Sequence, residues 1–209
     1  ILGMKLAKED PVQGELMIIN EEIDRISAII SELSHFDQPR VRQTENVDIN
    51  GLLSDLIRIT KKSLAAGSQI KFHLKLDPAL PEIATGKNSL KQAVINLIKN
   101  AMEAMPEGGN IFIETQYHPH LPEESPPAGL PPGGAQAEIT IRDDGPGIPA
   151  SIKRRLYEPH ASAKGRGHFG LGLSLAYASV ADVSGTMICE SDSNKGTCFR
   201  ILLSGKASR

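Results

Sequence analysis

Two asparagines four residues apart, Asn96 and Asn100, lie in a segment with the apolar spacing of an amphipathic helix. Residues at positions i and i+4 share one helix face, and a buried amide without a partner costs about 1–3 kcal/mol. Mg²⁺ prefers oxygen ligands and keeps substrate phosphates in its shell, so both amide oxygens could bridge such an ion to phosphate. The alternative is that both are surface polar residues of an ordinary amphipathic helix.

A second candidate site begins at Asp143, directly after an alternating apolar segment that predicts a strand. A carboxylate fixed at the end of a strand can accept a hydrogen bond from an exocyclic amine such as adenine N6, and so select adenine over guanine. Gly145 and Gly147 would let the backbone pass close to a ligand, with Ile148 following. The alternative is an Asp-Gly turn that joins two strands.

A third candidate is the segment 164–174, in which four glycines within eight residues lead into an apolar helix. Free backbone N–H groups and the dipole at a helix start suit a phosphate chain. Lys164, Arg166 and His168 add cationic side chains. The same glycines predict a mobile lid, and the alternative is a flexible linker with scattered charges.

Taken in order, these segments resemble the catalytic core of a sensor histidine kinase, which shares its ATP-binding fold with gyrase, MutL and heat-shock chaperone ATPases. The resemblance covers about residues 45–205. It is carried by the N box Asn96-x-x-x-Asn100-Ala101, the G1 box Asp143-x-Gly145-x-Gly147, the G2 box Gly170-Leu171-Gly172-Leu173-Ser174 and a last box Gly196-Thr197-Cys198-Phe199. Four boxes in the family's order make chance similarity improbable.

The resemblance implies a role for each matching residue. Asn100 would ligate Mg²⁺, with Asn96 assisting in the metal and phosphate shell, and Asp143 would bind the adenine amine of ATP. Thr197 would lie close by and Ile148 against the ring. The remaining nucleotide contacts would come from Gly145, Gly147, Lys164, His168, Gly170, Leu171 and Gly172. The implied reaction is transfer of the ATP γ-phosphoryl group to a histidine and on to a response regulator receiver domain.

Alternating elements surround these segments and must position them. The pattern predicts helices over about 50–66, over 89–105 and up to residue 183, with strands over 69–76, 110–117, 138–142, 186–190 and 197–203. One sheet with helices layered on one face accommodates this order. We therefore expect an α+β fold over 45–209, a two-layer α/β sandwich with a mixed sheet, which the resemblance equates with the Bergerat ATP-binding fold. Residues 118–136 include six prolines and predict a flexible insertion.

Residues 1–40 predict an antiparallel helical hairpin broken at Asp10-Pro11. In its second helix, six apolar residues are spaced 3, 4, 3, 4 and 3 apart, which is a heptad seam: Leu16, Ile19, Ile23, Ile26, Ile30 and Leu33. A single hairpin would leave this seam exposed, so we expect a homodimeric four-helix bundle. The alternative is an ordinary packed helix in a monomer. The hairpin resembles the dimerisation and histidine-phosphotransfer hairpin of the family.

Composition excludes several classes of protein. A net charge of −2, from 23 basic and 25 acidic residues, gives no general footprint for nucleic acid or an anionic membrane. Eight aromatic side chains provide no platform for stacking bases. Cys189 and Cys198 lack metal-ligand spacing and predict reduced thiols of a cytosolic protein. With no run of about 18 apolar residues, any membrane attachment would come from segments N-terminal to Ile1.

None of the six histidines fits the family's phosphoacceptor, which lies early in the first hairpin helix. His35 ends the second predicted helix, His73 lies in a predicted strand, and the others lie in predicted loops: His118, His120, His160 and His168. The chain begins at Ile1 inside a predicted helix. We therefore expect a fragment that binds ATP but lacks the histidine that it phosphorylates.

Two other functions remain open at this stage. The first is an ATP-hydrolysing clamp of the gyrase or mismatch-repair kind, which needs a carboxylate to activate water where this chain has Asn96. The second is a pseudokinase that dimerises and binds a partner without catalysis. It is motivated by the lid, where His160-Ala161 replaces two aromatic residues of the family and the segment 164–170 is one residue longer than usual.

Overall fold

The computed structural model describes residues 44–63, 68–119, 136–149, 153, 156, 171–192 and 195–204. The hairpin predicted over 1–40, its four-helix bundle, most of the insertion predicted over 118–136 and the segment 157–170 lie outside the described residues.

The described residues form seven strands and three helices. In chain order these are β1 (Glu45–Val47), α1 (Ile49–Ser63), β2 (Ile70–Lys75), β3 (Ile83–Thr85), α2 (Lys87–Ala104), β4 (Gly109–His118), β5 (Gln136–Asp143), α3 (Leu171–Asp182), β6 (Thr186–Ser191) and β7 (Thr197–Ser204). All predicted helices and strands of this region are present. The short strands β1 and β3, which pair with each other, were not predicted.

The main sheet has the strand order β2-β4-β5-β7-β6. Strand β2 is parallel to β4, whereas the other neighbouring pairs are antiparallel. The register places Phe72 beside Ile111 and Ile141 beside Phe199. The predicted mixed sheet is therefore confirmed.

The core fills the space between one face of this sheet and the three helices. Alternate strand residues such as Ile111, Ile139 and Ile201 are completely buried, and they share one apolar cluster with Leu53 of α1, Leu97 of α2 and Val180 of α3. Burying a side chain of this size stabilises the fold by about 1.5–3 kcal/mol. The two-layer α/β architecture is confirmed.

Both ends of the predicted insertion belong to strands. His118 is the last residue of β4, Gln136 is the first of β5, and the two are paired across the sheet. The imidazole of His118 also lies 3.2 Å from a carboxylate oxygen of Glu138. The insertion predicted over 118–136 was therefore too long by one residue at each end. Its bounds were set from proline content, which indicates a loop but does not show where strand pairing ends.

The two cysteines are free and half-buried. Cys189 pairs with Phe199, whereas Cys198 pairs with Glu190, so the two thiols lie on opposite faces of the sheet and cannot be joined there. Burial, the largest influence, raises the pKa of the Cys189 thiol to about 12. Among the described residues, no helix is both long and apolar enough to cross a membrane.

Candidate functional site

Asp143 is a buried carboxylate at the end of β5, and its side chain is only 5% exposed. Its Oδ1 atom accepts hydrogen bonds from the backbone N–H of Gly145 at 2.9 Å and of Thr197 at 3.2 Å. These bonds join the loop after β5 to the start of β7. Because both go to Oδ1, Oδ2 is the oxygen left for a donor that belongs to a ligand.

The neighbouring carboxylates Asp143 and Asp144 have opposite pKa shifts. Burial raises the pKa of Asp143, against the lowering effect of the N–H groups of Gly145 and Thr197. Asp144 is exposed, and its pKa is lowered first by the backbone N–H of Asn110, which donates to Oδ1 at 2.7 Å. The pKa shifts of these two adjacent aspartates differ in direction because Asp143 is buried and Asp144 is exposed to solvent.

The Ser191 hydroxyl at the end of β6 joins three segments of the site. Its Oγ accepts from the N–H of Ile148 at 2.8 Å and donates to the carbonyl oxygen of Gly196 at 3.0 Å. It also lies 3.1 Å from the Thr197 hydroxyl. Ser191 and Thr197 are both buried and pair with each other across β6 and β7. No role was predicted for Ser191, although a polar residue at a core-facing strand position is a signal that could have found it.

Two glycines allow the backbone of this site to close. Gly147 has φ of 74°, and a Cβ there would lie 2.2 Å from the carbonyl oxygen of Asp192. Gly196 has φ of 85°, and a Cβ there would lie 2.0 Å from the carbonyl oxygen of Asp143. Both positions combine a left-handed conformation with backbone contact, so a side chain would force the loop away from β6 and β7.

Met105 follows α2 and connects that helix with the loop after β5. It is 5% exposed, and a Cβ on Gly145 would meet its Cγ at 3.0 Å. A Cβ on Gly109 would meet its Sδ at 2.5 Å. Met105 therefore packs beside the Asp143 carboxylate, which places the C-terminal end of α2 against the site. Its role was also not predicted, because a methionine among other apolar residues carries no local signal.

Asn96 and Asn100 lie on α2, upstream of Met105. Asn96 is buried, and its Oδ1 accepts from Gln92 Nε2 at 3.3 Å. The Nδ2 atoms of Asn96 and Asn100 are both buried and have no hydrogen-bond partner among the described residues. A buried N–H without an acceptor costs about 1–3 kcal/mol. The two amides are therefore polar groups that folding of the described part leaves unsatisfied.

Gly172, in the first turn of α3, lies directly against the Asn100 carboxamide. A Cβ at this position would be 2.7 Å from Asn100 Oδ1 and 3.0 Å from Nδ2. The absence of a side chain at Gly172 thus lets the start of α3 approach α2 at the asparagine. A helix rises 1.5 Å per residue, so the backbone from Asn96 to Met105 spans about 14 Å along one edge of the site.

Most of the predicted site residues are therefore brought into one region. Those described are Asn96, Asn100, Asp143, Gly145, Gly147, Ile148, Gly172 and Thr197. Lys164, His168, Gly170 and the side chain of Leu171 lie outside the described residues. The alternative of an Asp-Gly turn that joins β5 to a following strand does not hold, because residues 144–149 form a loop that is anchored to β6 and β7.

The donor set of the described residues suits one kind of metal site. Within the described ranges, no group of three or more His, Cys, Asp and Glu residues could hold a metal ion. The Asn100 side-chain oxygen lies at the start of α3, and the Nδ2 groups of Asn96 and Asn100, which have no partner among the described residues, mark a polar space. A hard cation that takes part of its shell from phosphate oxygens and water fits such a site, because it needs few protein ligands.

Sequence comparison relates the chain to known families. A profile of the family described as "Histidine kinase-, DNA gyrase B-, and HSP90-like ATPase" matches residues 85–206. Sporulation kinase E of Bacillus subtilis (strain 168) is 32% identical over 186 residues, which cover 89% of this chain and 23% of that protein. Sensory histidine kinase/phosphatase NtrB of Rhodobacter capsulatus is 32% identical over 210 residues, covering 97% and 55%. The chain thus spans between about a quarter and a half of these relatives' length.

Solved structures share the fold. Full-length ShkA in complex with AMPPNP has a TM-score of 0.72 at 19% identity, over 97% of this chain and 40% of that one. Histidine kinase ThkA in complex with the response regulator TrrA has a TM-score of 0.67 at 20% identity, over 98% and 54%. At this level of identity, the likeness supports the architecture alone.

Proposed function

The chain belongs to the family of histidine kinase-, DNA gyrase B- and HSP90-like ATPases, and on that premise we propose that it is the ATP-binding catalytic core of a two-component sensor histidine kinase. The family match confirms the resemblance that was found in the four motifs. In the proposed reaction, the γ-phosphoryl group of ATP passes to a histidine of a helical hairpin and then to the receiver domain of a response regulator.

The observation that carries the proposal is the fixed Asp143 carboxylate. Its Oδ1 is occupied by two backbone N–H groups, so the carboxyl plane is held and Oδ2 can meet an amine of the base. Met105 and the partly buried Ile148 supply apolar surface beside it. A buried acceptor between apolar walls binds an aminopurine and rejects a base that places a carbonyl at the same position.

The phosphate end of the proposed site lies between α2 and α3. Asn100 would hold Mg²⁺ through Oδ1, with Asn96 in the same shell, and the ion would neutralise charge on the transferred phosphoryl group. Leu171 and Gly172 open α3, where free N–H groups favour phosphate. Lys164, His168 and Gly170 precede this helix start in the sequence, and the proposal assigns them to the outer phosphates.

The proposal extends to partners and location. The hairpin over 1–40 would form a homodimer through its heptad seam, and the dimer would present a histidine to the ATP site. A response regulator as partner is supported by ThkA, whose structure was solved in complex with TrrA. The proposed location is the cytoplasm, with Cys189 and Cys198 as reduced thiols.

The hydrolase alternative is disfavoured by Asn96. A hydrolytic clamp needs a base that takes a proton from water, whereas Asn96 has an amide whose oxygen accepts from Gln92. An amide does not accept a proton at neutral pH. Phosphoryl transfer to a histidine does not need this base, because imidazole is itself a nucleophile.

The test has two arms. In the first, the 209-residue chain is titrated with ATP and Mg²⁺ by calorimetry, and we expect binding that Asn100→Ala weakens. In the second, the product of the whole gene is incubated with ATP labelled at the γ-phosphate. We expect acid-labile phosphate on a histidine, which moves to a receiver domain when one is added.

Each of the two alternative functions predicts a different result in these two measurements. Release of inorganic phosphate without phosphohistidine would identify a hydrolytic clamp. Absence of ATP binding, with Asn100→Ala indistinguishable from the unmodified chain, would identify an interaction module. Either result contradicts the kinase proposal.

A further inference from the structure

We propose that Ser191 determines base selectivity by fixing the direction in which the Thr197 hydroxyl donates. The inference rests on the proposed function, because it concerns the base of the bound nucleotide. Ser191 is 6% exposed, and its Oγ has three polar neighbours: Ile148 N at 2.8 Å, Gly196 O at 3.0 Å and Thr197 Oγ1 at 3.1 Å.

A hydroxyl has one proton to donate and two lone pairs to accept with. The Ile148 N–H is a donor, so it occupies one lone pair of Ser191 Oγ. The Gly196 carbonyl is an acceptor only, so it takes the Ser191 proton. The remaining lone pair faces Thr197, which must therefore donate to Ser191. With this arrangement all three capacities of the serine hydroxyl are used.

The opposite arrangement is less favourable. If Ser191 donated to Thr197, the Gly196 carbonyl would lose the donor that the described structure gives it. A buried carbonyl without a donor is costly. The three contacts of Ser191 therefore select one of the two rotations of the Thr197 hydroxyl.

The consequence is that Thr197 offers lone pairs to a ligand and keeps its proton. Asp143 and Thr197 lie on the helix-facing side of the sheet, because each is two residues from one member of the buried pair Ile141 and Phe199. The Thr197 N–H also donates to Asp143 Oδ1. The ionised Asp143 carboxylate also only accepts. Two acceptors side by side match the two hydrogens of an exocyclic amine and repel a carbonyl oxygen. Ser191 is thus a positioning residue: it acts on the base through Thr197.

The test compares the dissociation constants of ATP and ITP, which differ in having an amine or a carbonyl at the same ring position. The unmodified chain should prefer ATP. Ser191→Ala frees the Thr197 hydroxyl to donate to the carbonyl of ITP, so the preference for ATP should fall about tenfold, the value of one hydrogen bond. Ser191→Ala also removes the hydrogen bond to Ile148 in the loop after β5. That loss should weaken the binding of ATP and ITP alike and leave the ratio of their dissociation constants unchanged.

Cys189→Ala is the matched control, because it also removes one heavy atom from the same face of β6, two residues away, without touching Thr197. It should leave the ratio unchanged. A double variant tests whether Ser191 acts through Thr197. Thr197→Val removes the hydroxyl that Ser191 orients, so adding Ser191→Ala to Thr197→Val should not change the ratio of the ATP and ITP dissociation constants further.

The inference is overturned if Ser191→Ala keeps the preference of the unmodified chain, or lowers it equally in the Thr197→Val background. Both results differ from failure of the proposed ATP site, in which the unmodified chain would bind neither nucleotide.

Discussion

The site has two ends that differ in how their polar groups are satisfied. At the base end, formed by Asp143, Ser191 and Thr197, the side-chain oxygens are joined to each other and to backbone groups. At the metal end, formed by Asn96, Asn100 and Gly172, two buried amide N–H groups have no partner among the described residues. The described residues therefore satisfy the polar groups of the first end, whereas in the proposed site a ligand satisfies those of the second.

This difference predicts two kinds of substitution effect. Changes at the base end alter which nucleotide is bound, because the acceptors there are already fixed. Changes at the metal end should alter how strongly Mg²⁺ assists binding. Removing the Asn100 amide should cost the free protein little, because its Nδ2 has no hydrogen-bond partner among the described residues.

The largest effect is expected for Asp143→Asn. The amide oxygen can keep the bonds to Gly145 and Thr197, which places Nδ2 where Oδ2 was and sets an N–H against the base amine. Loss of a charged acceptor should weaken ATP binding about a hundredfold, measured by calorimetry. Asp144→Asn is the control, because its carboxylate is exposed and bonded to Asn110, and its ATP affinity should stay close to that of the unmodified chain.

The same variant should not be less stable. Burial raises the pKa of Asp143, so above that pKa the ionised group destabilises the fold relative to the unfolded chain. An asparagine carries no charge and removes this cost at neutral pH. Urea denaturation should show an unchanged or higher free energy of unfolding, and a large decrease would contradict the assignment of Asp143 as a ligand group.

Asn100→Ala should reduce the affinity for ATP with Mg²⁺ about tenfold. In excess EDTA its affinity for ATP should match that of the unmodified chain. The free variant should be no less stable, because it removes a buried N–H that has no acceptor among the described residues. Lys91→Ala, an exposed change on the same helix, is the control. An equal loss with and without Mg²⁺ would argue against a metal role.

Gly172→Ala should have a smaller effect of the same kind. The new Cβ would lie 2.7 Å from Asn100 Oδ1, so the flexible carboxamide must move aside while the helices keep their places. We expect about a fivefold loss of affinity in the presence of Mg²⁺. If the effect passes through Asn100, Gly172→Ala should add nothing in the Asn100→Ala background. A further loss there would show that Gly172 acts on the nucleotide directly.

The smallest effect is the pH dependence of binding. Protonated Asp143 loses its role as a pure acceptor, so ATP affinity should fall as pH falls through the pKa of Asp143. The fall should be about twofold at the pH equal to that pKa. Since burial raises this pKa, the fall should begin above the range of an ordinary aspartate. Asp144→Asn removes a nearby charge that adds to the effect of burial, so its profile should move only slightly to lower pH. For the unmodified chain, a profile confined to the ordinary range would contradict the burial argument.

The sequence predicted the elements of the fold better than their pairing. Helix α2 and the apolar strands were found because their periodicity persists over many residues. The three-residue strands β1 and β3 are too short to show a period, and they pair across more than 35 residues of chain. The parallel alignment of β2 with β4 depends likewise on contacts distant in sequence.

The site was predicted where side-chain chemistry is local. Asp143 and Asn100 lie in motifs whose residue types indicate the roles proposed for them. Ser191 and Met105 were missed because each acts through contacts made only after folding: Ser191 meets Ile148 from 43 residues away, and Met105 packs on Gly145. Spacing along the chain carries no information about such contacts.

The most direct test of the separation between the two ends is a calorimetric titration with ADP in excess EDTA, which engages the base without a metal ion. The unmodified chain and Asn100→Ala should bind ADP with equal affinity, whereas Asp143→Asn should bind it about a hundredfold more weakly. Weaker ADP binding by Asn100→Ala, or unchanged ADP binding by Asp143→Asn, would contradict the separation of the two ends.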